Sequence, residues 1–367
     1  MPLIIPFFLM NRGCPHRCVF CNERLTAGNH PEQISREAFV ETVGAHLASA
    51  KGKGGPPEIA FYGGTFTGME RTEQSRLLEL AAPFLREGTV AGIRISTRPD
   101  SIDSECCDFL RRFGVTTVEV GAQSLDEEVL LRSRRGHTAA DTGRALLMLK
   151  EWGFKSGLHV MAGLPGESPD RFKETIARVI ALRPDTVRIH PTLVLRGTPL
   201  AEEYRRGDYL PLSLAEGVDR CKAALRALTA AGIPVIRLGL QTTRELEEPG
   251  AILAGPFHPA FRTLVETALF LEMATALLEA AGSGDRLPDE TGALRESIQF
   301  AVSPADISGF CGYRRENVAA LKHRFHVAEI LVASDPALPR LTLALRAGRK
   351  VLRTNLAGQI EDLAFSR

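Results

Sequence analysis

The chain has 367 residues, 44% hydrophobic and 24% charged, which is enough to bury a large core and fits one big α/β domain plus a smaller one. A formal net charge of +1 excludes a uniformly basic surface, so a polyanionic partner would have to be met by a local patch. Residues 301–367 carry ten Lys/Arg against six Asp/Glu, a local surplus of +4, and no apolar run reaches the ~18 to 20 residues that a membrane-spanning helix needs.

The opening ten residues, Met1 to Met10, are apolar but have no basic segment before them and no small-residue cleavage site, so a buried first strand is expected rather than a signal. Further strands are expected to begin near Ile59, Ile93, Val118, Leu158, Val187 and Val235, the first beginning near Ile4. Helices are expected over Arg36–Ser49, Gln74–Leu85, Thr138–Trp152, Pro169–Leu182 and Leu214–Ala230, where apolar residues recur at three- and four-residue spacing. Ser101 to Glu105 offers capping chemistry for a shorter one. Strand and helix alternating in this way predict a parallel sheet, as a partial (β/α) barrel of about six to seven strands, with ligands at the strands' C-terminal ends. After Gln241 the rhythm breaks: Glu245–Gly250 is polar and Gly255-Pro256-Phe257-His258-Pro259 cannot be regular helix. The expected domains are therefore 1–244, catalytic, and 245–367, a small α+β extension. In the latter, Ala260–Ala281 reads as an amphipathic helix and Gly282–Glu290 as a loop.

Three of the seven cysteines form Cys14-x3-Cys18-x2-Cys21, with Phe20 before the last thiol, which points to metal ligation in a reducing compartment, the cytoplasm, rather than to disulfides. Three thiolates on one tight loop can hold three irons of a [4Fe-4S] cubane and leave the fourth open to a ligand. A structural zinc site, the alternative, normally needs a fourth Cys or His, and His16 sits inside the loop where reaching the same ion would be strained. Cys106, Cys107, Cys221 and Cys311 have no ligand spacing and read as core or surface thiols.

The triad, Gly63-Gly64-Thr65-Phe66, Ser96-Thr97-Arg98-Pro99-Asp100, Val118 to Ser124, Arg135-Gly136-His137-Thr138 and His159 to Gly166 together resemble the radical S-adenosylmethionine (SAM) superfamily. In order and spacing they are similar to the branch containing the Elongator catalytic subunit and the oxygen-independent coproporphyrinogen oxidases, over roughly residues 3 to 240. The resemblance implies reductive cleavage of SAM to a 5′-deoxyadenosyl radical, and with it a low-potential electron donor of flavodoxin or ferredoxin type. It implies a SAM-binding role for Gly63, Gly64 and Thr65, and contacts to the SAM ribose or carboxylate from Gln123, Ser124 and Arg135. His159 and His190 end strands five and six, a position that faces either the adenosine or the substrate unless they are structural, and Phe20 and Met161 are further candidates for cofactor contact. Ser96 departs from the pattern, since related enzymes commonly carry Glu there; a serine makes one weaker contact, and Arg98 nearby is the expected substitute.

Glu23 stands where coproporphyrinogen oxidases usually place another cysteine, and the first two ligands are closer than in the Elongator catalytic subunit. The tail from Gly255 resembles the extension of bacterial Elongator-like proteins that lack the acetyltransferase domain. Within it, Gly309-Phe310-Cys311-Gly312, or in the alternative register Gly312 to Arg315 with Arg in the second glycine's place, and the helix and strand after it suggest a KH-like module, whose Gly-x-x-Gly loop clamps single-stranded backbone; the other reading is a small packing domain with a solvated basic face. Tyr313 would then stack on a base, and Arg314, Arg315, Lys322 and Arg324 would meet phosphates. The expected function is a radical SAM enzyme modifying RNA, tRNA-like. The alternatives are the same chemistry on a small metabolite or tetrapyrrole, and a non-catalytic zinc-stabilised RNA-binding protein.

Overall fold

A computed structural model describes residues 3–30, 33–49, 56–281, 298–347 and 350–363. The chain folds as two compact units, Met1–Gly217 with Ile233–Pro259, and Val218–Gly232 with Ala260–Arg367.

The first unit runs β1 (Ile4–Phe8), α1 (Glu23–Ala27), α2 (Arg36–Ser49), β2 (Glu58–Tyr62), α3 (Arg71–Arg86), β3 (Gly92–Thr97), α4 (Ser104–Arg112) and β4 (Val115–Gln123). It continues through α5 (Glu127–Arg132), α6 (Ala139–Glu151), β5 (Lys155–Ala162), α7 (Pro169–Leu182), β6 (Thr186–Pro191), β7 (Val194–Leu195) and α8 (Pro199–Arg206). Helix α9 (Leu214–Ala230), which from Val218 on belongs to the second unit, precedes β8 (Val235–Leu238) and β9 (Ile252–Ala254) of the first. Seven strands make one sheet in the order β1-β2-β3-β4-β5-β6-β8, every pairing parallel, and form a half-barrel. Side-chain oxygens start the crossover helices: Asp103, Asp126, Ser168 and Thr198 each accept a backbone N–H of the first turn, and Thr138 with Asp141 closes a capping box.

The period-two alternation of the strands sorts their side chains onto two faces. Ile59, Phe61, Ile93, Ile95, Val118, Val120, Leu158, Val160, Val187 and Ile189 are almost wholly buried and form the apolar core. In register with one another on the opposite, lumenal face stand Arg94, Ser96, Glu119, His159, Arg188, His190 and Arg237. Strands β4 and β5 begin three residues before the starts expected at Val118 and Leu158, because Val115, Thr117, Lys155 and Ser156 already pair with their neighbours.

Residues 245–259 lie with the first unit, beyond the boundary expected near 245. Leu246 and Ala251 pack with Leu25, Leu193 and Leu195, and β9 pairs with β7. The physical reason is that this polar, breaker-rich stretch still carries apolar anchors every few residues.

In the second unit, α10 (Phe261–Ala280) buries Phe261, Val265, Leu269, Phe270, Met273 and Leu277. It is followed by β10 (Ile298–Val302), α11 (Ile307–Cys311), α12 (Glu316–Phe325), β11 (Ile330–Ser334), β12 (Thr342–Ala347), β13 (Lys350–Asn355) and β14 (Ile360–Asp362). The sheet order is β11-β10-β12-β13-β14, with β10 and β11 parallel and the rest antiparallel. The expected loop at Gly282–Glu290 lies outside the described residues. The expected Gly-x-x-Gly loop at 309–312 is corrected here: Ile307–Cys311 is helical, and Gly309 and Phe310 are buried. Phe310 sits 5.0 Å from the Phe300 ring and 6.1 Å from that of Phe270, and this apolar anchoring draws the first glycine into the core. The turn between the helices is instead Gly312 to Arg315, where Arg315 takes the left-handed conformation (φ +63°) that a glycine would favour.

Candidate functional site

The C-terminal ends of the strands open into a cavity of about 1510 Å³ that collects residues from every lumenal strand and from the loop after β1. Phe20, Gly63, Gly64, Thr65, Ser96, Arg98, Gln123, Arg135, Met161, His159 and His190 all line it with Cys14, Cys18 and Cys21. Ser124 is not brought there. It is buried, and its hydroxyl bonds the Asp126 N–H at 3.1 Å beside Thr175, so it shapes the start of α5.

The cysteine loop is held at its edges. Arg135 Nη1 donates to Cys18 Sγ at 2.9 Å while its other nitrogen donates to the Gly121 carbonyl. Cys14 Sγ lies 3.3 Å from Thr65 Oγ1. Glu23 accepts from the Gly64 N–H at 2.6 Å and from the Asn11 N–H, and so ties α1 to both the glycine turn and the loop. Gly64 has φ +60°, and a Cβ there would stand 2.2 Å from the Arg12 carbonyl oxygen. This glycine is therefore required by the close approach of the cysteine loop, whatever it offers a ligand. Desolvation within the cavity, reinforced by the Glu23 carboxylate, raises the Cys14 and Cys21 thiols above the ordinary range. Ligation would have to displace their protons.

Deeper in the lumen lies a charged network that no local motif announced. Arg94 donates to Glu58 at 2.6 and 2.9 Å and to Glu119 at 2.7 Å, and Arg188 meets Glu119 at 2.8 Å and the Tyr62 hydroxyl at 2.7 Å. Its members come from β2, β3, β4 and β6, so the sequence signal was a single polar residue at alternate positions of otherwise apolar strands. Arg98 is buried and bound by both carboxylate oxygens of Asp100 at 2.7 and 2.9 Å, which leaves Ser96 without its expected substitute. His159 and His190 meet edge to face with centroids 4.2 Å apart. Burial, then the Arg188 charge and Arg135, pushes His159 down to about 3; burial, His159 and then Arg188 push His190 well below its usual value, so both rings are neutral near pH 7.

The donor set fits the groups the family pattern implies. Three cysteines stand on one loop that lines the cavity, with an arginine beside the middle one. Three thiolates suit a polynuclear cluster, in which each takes its own iron, whereas a tetrahedral zinc would need a fourth ligand. Gln123 Oε1, Arg135 Nε, His159 Nε2 and His190 Nε2 are buried without a hydrogen-bond partner and belong to residues lining the cavity, which suits a polar ligand.

In the second unit Tyr313, Arg314 and Arg315 are exposed on the turn before α12, with the Arg314 guanidinium 5.2 Å over the Tyr313 ring. Lys322 is partly buried, and Arg324 is engaged by Glu279 at 2.8 Å.

Residues 8–179 match the Radical SAM superfamily and residues 184–270 the Radical_SAM C-terminal domain. A tRNA uridine(34) acetyltransferase of Methanocaldococcus infernus is 27% identical over 245 residues, 56% of this chain and 46% of the relative. Elongator complex protein 3 of Homo sapiens is 36% identical over 138 residues, 36% of this chain and 25% of the relative. The chain thus spans about half the length, or less, of these curated relatives. The solved structure of the archaeal Methanocaldococcus infernus Elp3 with an N-terminal deletion superposes with a TM-score of 0.53 at 23% identity, covering 76% of this chain and 63% of that one, a likeness of fold. No described helix is long and apolar enough to cross a membrane.

Proposed function

The chain belongs to the radical SAM superfamily, and from that premise we propose that it holds a [4Fe-4S] cluster on Cys14, Cys18 and Cys21, binds SAM beside it, and modifies an RNA, tRNA first among the candidates. When bound, cluster and SAM would supply one-electron cleavage of a carbon–sulfur bond and a radical able to abstract hydrogen, with electrons from a flavodoxin- or ferredoxin-type donor. The protein's own part is position and exclusion of water. The observation that carries the reading is the cysteine loop seated on Gly64 and Arg135 beside one large cavity that several unpartnered polar atoms border.

The glycine turn of Gly63, Gly64 and Thr65 and the polar atoms of Gln123 and Arg135 are the residues assigned to SAM. Arg135 can pair with a carboxylate while holding Cys18. RNA as substrate is favoured by the cavity lining, where Arg17, Arg24 and Arg134 stand against Glu202 and Glu203, with Arg206 paired to Asp208. It is favoured also by the exposed Tyr313-Arg314-Arg315 turn and by the similarity to a tRNA uridine(34) acetyltransferase. The first unit, which takes in residues 245–259 beyond the boundary expected at 244, is assigned to catalysis and the second to substrate binding, in the cytoplasm.

The test is anaerobic reconstitution followed by dithionite and SAM, with chromatography for 5′-deoxyadenosine. Product from the wild type and none from the Cys14, Cys18, Cys21→Ala variant is the expected result; equal product from both refutes the cluster assignment. Filter binding should show salt-dependent tRNA affinity that Arg314→Ala with Arg315→Ala weakens, and salt-independent or absent retention would sink the RNA reading.

A further inference from the structure

The lumenal faces of the strands carry more positive than negative charge. Two carboxylates, Glu58 and Glu119, face three guanidinium groups, Arg94, Arg188 and Arg237. Both carboxylates are committed: Glu58 to Arg94, and Glu119 to Arg94, Arg188 and the Tyr62 hydroxyl. Arg237, the register partner of Arg188 on the last strand of the sheet, bonds the neutral amide of Gln241 at 3.1 Å and pairs with no carboxylate among the described residues. Next to it in the lumen, Arg188 is also the register partner of His159, whose ring meets His190. The Nε2 atoms of His159 and His190 are buried and unpaired.

A partly buried cation without a counterion is costly unless something anionic completes the site. Neutral imidazoles beside it can each present an N–H without adding charge. The cavity has the space. Its volume of about 1510 Å³ exceeds the ~300 to 1,000 Å³ of a typical small-molecule pocket, which leaves room for a second group after one cofactor is bound. The cation at the cysteine loop is a different one, Arg135, at 2.9 Å from Cys18.

We propose that Arg237, with Arg188 and His190, forms a second ligand subsite in the lumen for an anionic oxygen group, a carboxylate or a phosphate, separate from the SAM site. That this anion belongs to the substrate rests on the function proposed above; that the subsite binds an anion does not.

The experiment is a thermal-melt titration of the cluster-loaded protein with SAM, and in parallel of the apoprotein, against inorganic phosphate and against acetate at constant ionic strength. SAM affinity is measured alongside. Saturable stabilisation by phosphate, by acetate or by both is expected, and which anion acts tells whether the group is a phosphate or a carboxylate. Arg237→Gln should weaken the response about tenfold or more, as loss of a charge-assisted contact does, while Arg237→Lys restores part of it and SAM affinity stays as in wild type. The subsite is refuted if neither anion stabilises the wild type beyond the chloride control, or if Arg237→Gln responds like wild type. It is refuted equally if Arg237→Gln loses SAM affinity in parallel, since the cation would then serve the cofactor. Failure of the cluster to form, with anion binding by the apoprotein intact, would instead count against the function and leave the subsite standing.

Discussion

The cysteine loop and the floor of the lumen share one cavity and are built on opposite physics. The loop carries groups left under-satisfied: desolvation raises the Cys14 and Cys21 thiols, and among the described residues the three sulfurs have only single contacts, from Thr65, Arg135 and Asn11. The floor's central network is satisfied several times over, Glu119 alone accepting from Arg94, Arg188 and Tyr62, while Arg237 and the two histidines at its edge keep bonding capacity to spare. Ligands that must be exchanged need spare bonding capacity, whereas a scaffold that must not move needs none. The two halves should therefore fail differently when broken.

The largest effect belongs to the loop. Cys18→Ala should leave the fold in place and reduce bound iron and sulfide to background, read by metal analysis of the reconstituted protein beside its circular dichroism; substantial retained cluster would refute the ligand set. The floor should show the reverse. Glu119→Gln removes one side of a buried network and leaves Arg94 and Arg188 facing each other, a change of the kind that costs about 3 to 5 kcal/mol. Denaturant unfolding should register that loss while iron loading of the folded fraction stays near wild type, and a loss of iron without a loss of stability would break the contrast.

The same contrast explains what the sequence revealed. Cys14, Cys18 and Cys21 lie within eight positions, and a chelating loop must be local, so its chemistry is written in adjacent letters. The alternation of strands and helices was legible for a similar reason, and Arg36–Ser49, Pro169–Leu182 and Leu214–Ala230 begin and end where the apolar spacing places them. Glu58, Arg94, Glu119 and Arg188 are spread over 131 positions and meet because parallel register sets alternate residues of different strands side by side. Nothing in any one strand reveals its partner. The glycine pair at 309 and 312 misled in the opposite sense, a four-letter pattern overridden by the burial of Phe310, which only the tertiary core decides.

A smaller effect tests the hinge between the halves. Gly64→Ala puts a Cβ at 2.2 Å from Arg12 O in a backbone that side chains rarely adopt, and the strain should cost about 1 to 3 kcal/mol. Because Glu23 bonds the same residue, the cluster should also load more slowly, measured by the growth of its visible absorbance. Unchanged stability and loading would mean that the turn relaxes freely.

The smallest effect is graded with pH and belongs to the floor. His159 is held at about 3 against an ordinary 6.5, by burial first and then by Arg188 and Arg135, and His190 is displaced the same way by burial, His159, Arg188 and Arg237. Between those two pH values the unfolded chain binds a proton that the folded chain refuses. The imidazoles' contribution is therefore complete above pH 6.5 and falls as the solution is acidified, by up to about 1.4 kcal/mol per pH unit for each ring. Glu73, paired with Arg76 and Arg12 and held at about 2, also loses stability in acid, but only below its ordinary 4.5. The window from pH 5 to 6.5 thus isolates the histidines from this carboxylate. Unfolding free energies of wild type and His159→Gln across that window should diverge, the wild type falling more steeply, and parallel lines would mean that water reaches the ring and the floor is less closed than its hydrogen bonds imply.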